Sequence, residues 1–420
     1  MIVQRTETHI IKESNPLYRW ILEECSRSKN LYNKALYIYR QAFTEKHENI
    51  TDYVSIVNNK KFISSYNLIT KMRELKDEDY FAMTKNHSAS QVIIQVDKVM
   101  KSWFASLKAY KKDSSKFRGR PRIPSYKKKD ELNYLTYTNI DARLQKDGTI
   151  NISKKIKLPI HTNLSSFQQI RLVPKTGYIQ VEIIYNKEIS DLKLDQTRAI
   201  GIDLGLNNLM AITSNIGNIS NLVNGRPLKS INQYYNKKKA HLMSLLEKEG
   251  LKSSKRLRRL EMKRICKIKD YLHKSSRRVA ELMEHNNIGT CFIGHNKDWK
   301  QAINIGSKNN QNFVFIPYSL LINMLRYKIE EKGGVLVELN EAYTSKCSFF
   351  DNEEISKHDS YKGKRIKRGL FLSSNKKALN ADINGSLNIL KRGMGYSFKF
   401  EDLFFRPTKI DIQKKLLNFA

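Results

Sequence analysis

The seven residues Ala199–Gly205, Ala-Ile-Gly-Ile-Asp-Leu-Gly, restrict the fold of this chain more than any other stretch. They have the apolar composition of a buried strand and carry one acid, Asp203, near its end. A lone carboxylate is costly to bury without a partner, and a cation is the obvious partner here. Gly205 has no side chain that would keep a metal ion or a nucleic-acid backbone away. The alternative is a turn or N-cap aspartate after an ordinary core strand.

The charge of the chain points to a polyanionic partner. Lys and Arg total 76 against 41 Asp and Glu, which gives +35 over 420 residues. Such an excess is self-repelling unless a polyanion neutralises it. No run approaches the ~18 apolar residues of a membrane span, and the N-terminus lacks a signal-peptide core. Nucleic acid is therefore favoured over a membrane surface.

The cysteines give no sign of a disulfide framework or a zinc site. Four are present, and none forms a Cys-x-x-Cys pair. This usage predicts a reducing, cytosolic location. Two scattered residues, Cys347 and His358, do not make a zinc site.

The pattern of the first half of the chain predicts a β-domain interrupted by helices. Residues 1–12 alternate apolar and polar side chains, as a half-buried strand does. Helical periodicity follows, with a long helix predicted from Ser88 to about Lys111. Short strands separated by turn signals then run from about Leu132 to Glu188. The sequence therefore predicts a small β-barrel of residues 1–14 and 116–195, with a helical insertion at 15–115.

A basic loop at 116–129 is the first candidate nucleic-acid contact. Its Gly and Pro residues exclude regular structure. Cations stand beside Phe117 and Tyr126, a mixture that suits phosphates and stacked bases. The candidate contacts are Arg118, Arg120, Arg122 and Lys127. A flexible basic linker is the alternative.

The second half has the element order of a ribonuclease-H-like α/β fold. Three strands are predicted in succession, then a basic helical stretch at 228–286, and then alternating strands and helices. In that fold, acids from the first strand, a later strand end and the last helix converge at one edge of the sheet. Further nucleic-acid contacts are predicted on the basic stretch and beyond it: Lys255, Arg256, Arg258, Arg259, Lys263, Arg264, Arg277, Arg278 and Lys300.

Asp203 and Asp382 are the two acids that this order places together. Asn380 can cap the last helix, which puts Asp382 in its first turn. An acid at that position alone is usually a helix-dipole partner. Paired with Asp203, it is predicted to bind metal. Two Mg²⁺ ions ~4 Å apart activate water and stabilise the leaving 3′ oxygen in such nucleases, and oxygen ligands suit Mg²⁺.

Four segments, together with the Gly-Arg-Pro-Arg loop, resemble TnpB, the family of insertion-sequence endonucleases related to type V CRISPR effectors. They are Gly201–Gly205, Ile293–Gln301, Glu341–Ser348 and Asn380–Gly385. The resemblance implies a wedge-like β-barrel, an inserted helical recognition lobe at 15–115, and a RuvC nuclease domain at 196–343 and 376–393. It also implies a guide RNA from the transposon end and a double-stranded target DNA with a short adjacent motif.

The second acid of the family is absent from its usual place. Many members carry it at the end of the fourth strand, where this chain has Gly294; Asp298 lies four residues further on. We favour Glu341, at the end of the neighbouring fifth strand, because adjacent strands lie only ~5 Å apart. Glu338 is the rival, and a missing ligand is the other alternative.

The zinc ribbon of the family is also degraded. The family usually carries paired Cys-x-x-Cys motifs in the region that corresponds to 344–375, and this chain keeps Cys347 alone. Zinc binding is therefore not expected, and packing is expected to hold this hairpin. The side chains predicted to do so are Phe349, Phe350, Leu370 and Phe371.

The leading hypothesis from the sequence is an RNA-guided DNA endonuclease encoded by an insertion sequence, with Asp203, Glu341 and Asp382 as its metal ligands. An RNA-guided DNA-binding protein without cleavage is the second hypothesis, and a guide-free nuclease or transposase is the third. The oligomeric state and the role of the tail at 394–420 stay open.

Overall fold

In the computed structural model, the described residues are 2–59, 61–189, 193–217, 219–296, 316–367, 369–395, 407–410 and 412. They form two compact units, Ile2–Glu188 and Ile189–Ala420. None of the described helices is both long and apolar enough to cross a membrane.

The strands of the first unit form two antiparallel sheets. They are β1 (Ile2–Lys12), β2 (Leu135–Thr138), β3 (Arg143–Leu144), β4 (Thr149–Ser153), β5 (Ile156–His161), β6 (Gln169–Lys175) and β7 (Tyr178–Glu188). The larger sheet has the order β1-β7-β6-β2, and the smaller one has the order β3-β4-β5. β1 pairs with β7 over its whole length, from Ile2 opposite Glu188 to Lys12 opposite Tyr178. The first strand of the chain therefore joins strands that lie more than a hundred residues later, and the predicted barrel is seen as two separate sheets within the described residues.

Helices occupy the interval between β1 and β2. They are α1 (Leu17–Phe43), α2 (Ser65–Glu74), α3 (Glu78–Phe81) and α4 (Asn86–Lys112), with 3₁₀ helices at His47–Ile56 and Ser114–Lys116. The apolar stripe of α4 is buried as its periodicity predicts, with Val92 at 2% exposure and Val96 at 0%. Ser64 and Asp77 cap α2 and α3, because their side-chain oxygens accept backbone N–H groups.

The second unit is built on a mixed six-stranded sheet. Its strands are β8 (Asp195–Leu204), β9 (Asn208–Ser214), β10 (Ser220–Asn224), β11 (Ile288–Gly294), β12 (Val335–Leu339) and β16 (Thr408–Ile410); a separate small sheet contains β13 (Lys364–Lys367), β14 (Leu370–Leu372) and β15 (Ala378–Leu379). The order in the large sheet is β12-β11-β8-β9-β10-β16. β8, β9 and β10 are antiparallel neighbours, whereas β11 runs parallel to both β8 and β12. This is the predicted arrangement of three meandering strands followed by two parallel ones.

Four helices accompany this sheet: α5 (Arg226–Lys248), α6 (Lys255–His285), α7 (Tyr318–Glu330) and α8 (Ala381–Met394). The predicted basic helical stretch is divided into α5 and α6 by a turn, where Gly250 has φ 66°. Helix α8 approaches β8 so closely that a Cβ on Gly201 would lie 2.4 Å from the Ser386 carbonyl oxygen. The Ser386 hydroxyl donates to the Gly201 carbonyl at 2.8 Å. This contact fixes the last helix against the strand that carries Asp203.

Candidate metal centre and nucleic-acid interface

Asp203 lies one residue before the end of β8, between the buried side chains of Ile202 and Leu204. Burial raises the pKa of its carboxyl group well above the ordinary value, and the charges of Asp382 and Glu341 raise it further. Arg365 and the Leu204 N–H oppose the rise. The pKa of Asp203 therefore responds to the charges of both other acids selected from the sequence.

Asp382 is in the first turn of α8, as predicted. The Asn380 side-chain oxygen caps this helix by accepting the N–H groups of Asp382 and Ile383, at 3.0 and 3.3 Å. The Asn208 amide donates to Asp382 Oδ2 at 2.7 Å, and the Arg365 guanidinium lies 3.7 Å from Oδ1. Both oxygens of this carboxylate thus have partners that the sequence did not identify.

Gly385 explains how Asp203 reaches the helix that carries Asp382. A Cβ at this glycine would lie 2.8 Å from Asp203 Oδ2 and 3.1 Å from Asp203 Cγ. The carboxylate of Asp203 therefore packs directly on the α8 backbone, one turn after Asp382. A larger residue in place of Gly385 would push the two acids apart.

Glu341 lies beside Gly294, where the family places its second acid. A Cβ on Gly294 would be 3.1 Å from Glu341 Cβ. The Glu341 N–H donates to Asn296 Oδ1 at 3.1 Å, and its carbonyl accepts from the Thr344 hydroxyl at 2.8 Å. Burial raises the pKa of the Glu341 carboxyl from 4.5 to about 7. These contacts hold the backbone at the position that the relocated-acid hypothesis requires.

Glu338, the rival acid, is engaged elsewhere. Its Oε1 accepts from the Arg326 guanidinium, and its Oε2 lies 3.0 Å from His295 Nδ1. Its side chain is 37% exposed, and the pairing with a cation is the one expected of it. Asp298 lies outside the described residues.

Tyr318 is a further member of the site that sequence reasoning missed. It is fully buried, and its hydroxyl donates to the Gly205 carbonyl at 2.9 Å. Burial, followed by the charges of Asp203 and Glu341, raises the pKa of this phenol. A tyrosine at the start of a helix carries no local signal of such a role, because its neighbours come from distant segments.

The donor set suits a hard divalent cation, since all three acids supply oxygen ligands. Yet no group of three or more His, Cys, Asp or Glu side chains within the described ranges is arranged to hold a metal ion. Asp382 is instead turned to Asn208 and Arg365. The oxygen ligands of these residues fit Mg²⁺. To bind the ion, Asp382 would have to give up its contact with Arg365.

A pH dependence follows from Glu341. Its folded-state pKa is raised, so its ionisation opposes folding, and stability is lost as pH rises from 4.5 towards about 7. Without metal, we expect the free energy of unfolding to fall by about 1–3 kcal/mol between about pH 5 and about pH 8. Stabilisation by Mg²⁺ should grow over the same range, because binding requires the ionised form.

Thermal unfolding with EDTA or with Mg²⁺ across this pH range measures both effects. The Glu341→Gln variant should lose the metal-free pH effect of this group, whereas Glu338→Gln should retain it. A Glu341→Gln profile identical to that of the wild type would contradict the assignment.

Gly294 provides a second check on the placement of Glu341. The Gly294→Ala variant adds a Cβ at 2.6 Å from Ile389 Cδ1 and 3.1 Å from Glu341 Cβ. We expect a loss of about 1–3 kcal/mol in the free energy of unfolding by overpacking, together with a displaced Glu341. Gly119→Ala is the matched control, because a Cβ there meets nothing within 4 Å. Equal stability of the two variants in urea titrations would show that Glu341 does not pack on Gly294.

Two family models match the chain. The first, OrfB_IS605, described as a probable transposase, matches residues 182–300. The second, the Cas12f1-like TNB domain, matches residues 318–389. These two models together match 191 of the 420 residues of the chain. The chain is also 26% identical over 223 residues to the TnpB-like protein ORF457 of Acidianus two-tailed virus, a match that covers 50% of this chain and 45% of that protein.

Two solved structures are similar at a lower level. The cryo-EM structure of a Cas12f1–sgRNA–target DNA complex has 18% identity, covers 93% of this chain and 100% of its own, and gives a TM-score of 0.34. The structure of the mini-RNA-guided endonuclease CRISPR-Cas_phi3 has 10% identity to this chain. The match covers 93% of this chain and 92% of that chain, with a TM-score of 0.42. TM-scores below 0.5 do not establish a shared fold.

The basic loop lies along α1 and α4. The Trp103 indole donates to the Pro121 carbonyl at 3.2 Å, and Arg40 lies 4.7 Å from the centre of the Tyr126 ring. The Lys127 backbone exchanges hydrogen bonds with Asn33, and its ammonium lies 4.9 Å from the Tyr32 ring centre. The loop is thus tied to helices rather than being a free linker, and three of its candidate cations are exposed: Arg118, Arg120 and Arg122.

The candidate cations of α6 divide into two groups. Arg264 is hydrogen-bonded to Asn232 at 2.8 Å and stacked over Tyr235, and Arg278 is 8% exposed and bonded to Glu281 at 3.1 Å. Arg264 thus packs against α5 and Arg278 is buried, which the charge pattern alone did not distinguish from a surface role. Arg277 pairs with Glu281 at 2.9 Å but is 76% exposed. The remaining α6 candidates are exposed except Arg258, which is half-buried: Lys255, Arg256, Arg258, Arg259 and Lys263. Lys300 lies outside the described residues.

The degraded ribbon is held to α8 by buried amides. Asn384 donates to the Cys347 carbonyl at 2.9 Å and accepts the Phe349 N–H at 3.1 Å. Asn388 donates to the carbonyls of Thr344 and Cys347, both at 2.8 Å. The predicted aromatic packing is present for Phe349 and Phe371, at 4% and 2% exposure, with Phe350 partly buried beside them. The amide bonds are an anchor that the sequence analysis missed.

Glu353 and Lys391 complete this anchor. Glu353 is 3% exposed and accepts the N–H groups of Ser348 and Lys362, at 2.7 and 3.0 Å. The Lys391 ammonium is fully buried and donates to the Glu353 carbonyl at 3.1 Å. The segment that relatives organise with thiolates is organised here by hydrogen bonds to the helix that carries Asp382.

Proposed function

We propose that the chain is an RNA-guided DNA endonuclease with a RuvC, RNase H-like nuclease domain. One observation carries the proposal: Asp203 packs on α8 at Gly385, one turn after Asp382, where burial, followed by the charges of Asp382 and Glu341, raises its pKa. Natural proteins do not gather three carboxylates without a use for their charge, because the crowding is costly. The similarity to two family models and to a TnpB-like protein supports the same function.

Asp203, Glu341 and Asp382 would hold two Mg²⁺ ions. When bound, the ions supply the charge that activates water and stabilises the leaving oxygen of a phosphodiester. Asn208 orients Asp382 by donating a hydrogen bond to its carboxylate. The Tyr318 hydroxyl fixes the turn by donating to the Gly205 carbonyl. Gly385 has no side chain that would separate Asp203 from α8.

The partners that we propose are a guide RNA from the transposon end and double-stranded target DNA beside a short motif. In RNA-guided recognition, base pairing between guide and target determines the sequence, and the protein contacts the nucleic-acid backbone. The exposed cations of the basic loop and of α6 would contact phosphates. The excess of 76 Lys and Arg over 41 Asp and Glu supports a polyanionic partner.

Co-purification tests the partner, and cleavage tests the chemistry. The protein is expressed with the DNA that flanks its gene, and the bound RNA is sequenced. The complex is then incubated with Mg²⁺ and a target matched to that RNA, next to randomised flanking bases. A stoichiometric RNA and cleavage at matched sites are expected. Free protein without RNA that cuts DNA would instead favour the guide-free nuclease or transposase.

A DNA-binding protein without cleavage is the second candidate. Two observations favour it: Gly294 replaces the usual acid, and no three His, Cys, Asp or Glu side chains in the described residues form a metal-holding group. Guide-dependent target binding without nicking in Mg²⁺ or Mn²⁺ would establish this alternative.

A further inference from the structure

A small cavity in the first unit lies on the side of α4 that faces α1. It has a volume of about 240 Å³ and is lined by side chains of α1 and α4 and by Asn58, Lys61, Phe62, Ile63 and Ser64. This volume is below the ~300–1,000 Å³ of sites for drug-sized ligands. The cavity therefore suits one flat ring system rather than an extended molecule.

The walls of the cavity are aromatic. Phe104 lies between two other rings, with centroids at 5.4 Å from Phe43 and 5.5 Å from Phe62. Phe62 stands at the rim and is 47% exposed. A tight turn presents it, because the Phe62 N–H donates to the Asn58 carbonyl at 2.9 Å. An exposed phenylalanine beside two partly buried ones offers a face on which a base can stack.

A buried carboxylate lines the same cavity. Asp97 is 6% exposed, and its Oδ1 accepts from the Tyr39 hydroxyl at 3.4 Å. Its Oδ2 lies 2.7 Å from the Lys101 ammonium, and the Lys101 side chain is 74% exposed. Each carboxylate oxygen can accept a further hydrogen bond. An exposed lysine leaves such a pair at little cost, so Asp97 can receive donors from a ligand.

Two cations stand at the rim. Lys61 and Lys101 both line the cavity, and both are exposed. Aromatic walls, a buried acceptor and cations at the rim match the three parts of a nucleotide: its flat ring, its N–H edge and its phosphate. Guanine is the common base whose Watson–Crick edge presents two adjacent N–H donors, which a carboxylate can accept together.

We propose that this cavity binds a single unstacked guanine of the guide RNA, stacked on Phe62 and hydrogen-bonded to Asp97. The inference rests on the proposed function in that RNA is the partner. RNA loops expose unstacked bases, whereas the bases of a DNA duplex are stacked and paired. Lys101 then moves from the carboxylate to the phosphate of the same nucleotide.

Short RNAs test the proposal without target DNA or Mg²⁺. Three fluorescein-labelled pentaribonucleotides carry guanine, inosine or adenine between uridines, and their affinity for the full chain is measured by anisotropy at fixed salt. Electrostatic binding elsewhere is the same for all three, so a difference in affinity among them reports recognition of the base. Guanine is expected to bind about tenfold more tightly than inosine, which lacks the exocyclic amino donor.

Two variants and their controls locate the effect. Asp97→Asn should abolish the preference for guanine over inosine, whereas Asp113→Asn, at the end of α4, should keep it. Phe62→Ala should weaken guanine binding about fivefold or more through lost stacking, whereas Phe81→Ala, which is 45% exposed on α3, should not. Because Phe62 is at the surface, its variant tests the site even if Asp97→Asn is unstable.

A crosslink provides an independent readout. 6-Thioguanosine at the central position should crosslink to peptides that contain residues 61–64 or 97–104. Equal affinity for guanine and inosine, or crosslinks confined to other peptides, would overturn the guanine site and leave the nuclease proposal intact. A guanine preference that depends on Asp97 would support the site even if the protein cuts no DNA.

Discussion

The Asp203→Asn variant is expected to lose at least about 10³-fold in the rate of guide-directed cleavage, about 4 kcal/mol in activation free energy. The amide has the shape of the carboxylate but not its charge, and Asp203 lies at the centre of the three-acid group. Single-turnover cleavage of an end-labelled target measures the rate. Target binding, measured in parallel, should be unchanged.

Glu338→Gln is the matched control for this experiment. Glu338 is an acid on β12 that is paired with Arg326 and His295. Its variant should cut at close to the wild-type rate. If Asp203→Asn also cuts at that rate, the three acids do not carry the chemistry, and the nuclease proposal fails.

Glu341→Gln separates the remaining alternatives. A loss comparable with that of Asp203→Asn would make Glu341 the substitute for the acid missing at Gly294. Undiminished cutting would remove Glu341 from the metal site while leaving Asp203 and Asp382 in place. A wild-type protein that binds its target without cutting would instead favour the non-cleaving alternative.

Sequence reasoning was most successful where structure is determined locally. The strand that carries Asp203 and the helix that carries Asp382 are set by short patterns: an apolar run for β8 and an Asn cap for α8. The long amphipathic helix predicted from Ser88 to Lys111 is observed as α4, at Asn86–Lys112. The prediction that the first strand joins the later β-region also followed from its alternation, because a half-buried strand needs a sheet to join; the structure identifies β7 as its partner.

Contacts between distant segments could not be predicted in the same way. Asn208 and Asp382 are 174 residues apart, and neither has a local pattern that names the other. Charge alone did not separate the inward-facing Arg278 from the exposed Arg277, which precedes it on α6. Which face of a helix is buried depends on the elements that pack against it, and the tertiary structure decides this.

The Asn384→Ala variant should lower the free energy of unfolding by about 3 kcal/mol. Asn384 is fully buried, and its amide pairs with the Cys347 carbonyl and the Phe349 N–H. Alanine leaves the Phe349 N–H without this acceptor and creates a cavity between the ribbon segment and α8. Urea unfolding measures the loss. Asn375→Ala, at an exposed position of the same segment, is the control and should cost little.

The same variant tests how the degraded ribbon is held. If amides replace thiolates, a strong zinc chelator should leave the unfolding of the wild type unchanged, while Asn384→Ala should speed proteolysis at the exposed Lys364–Lys367 strand. Because Asn384 is on the helix that carries Asp382, the variant should also slow cleavage. A chelator that destabilises the wild type, or Asn384→Ala with wild-type stability, would contradict an anchor built from hydrogen bonds.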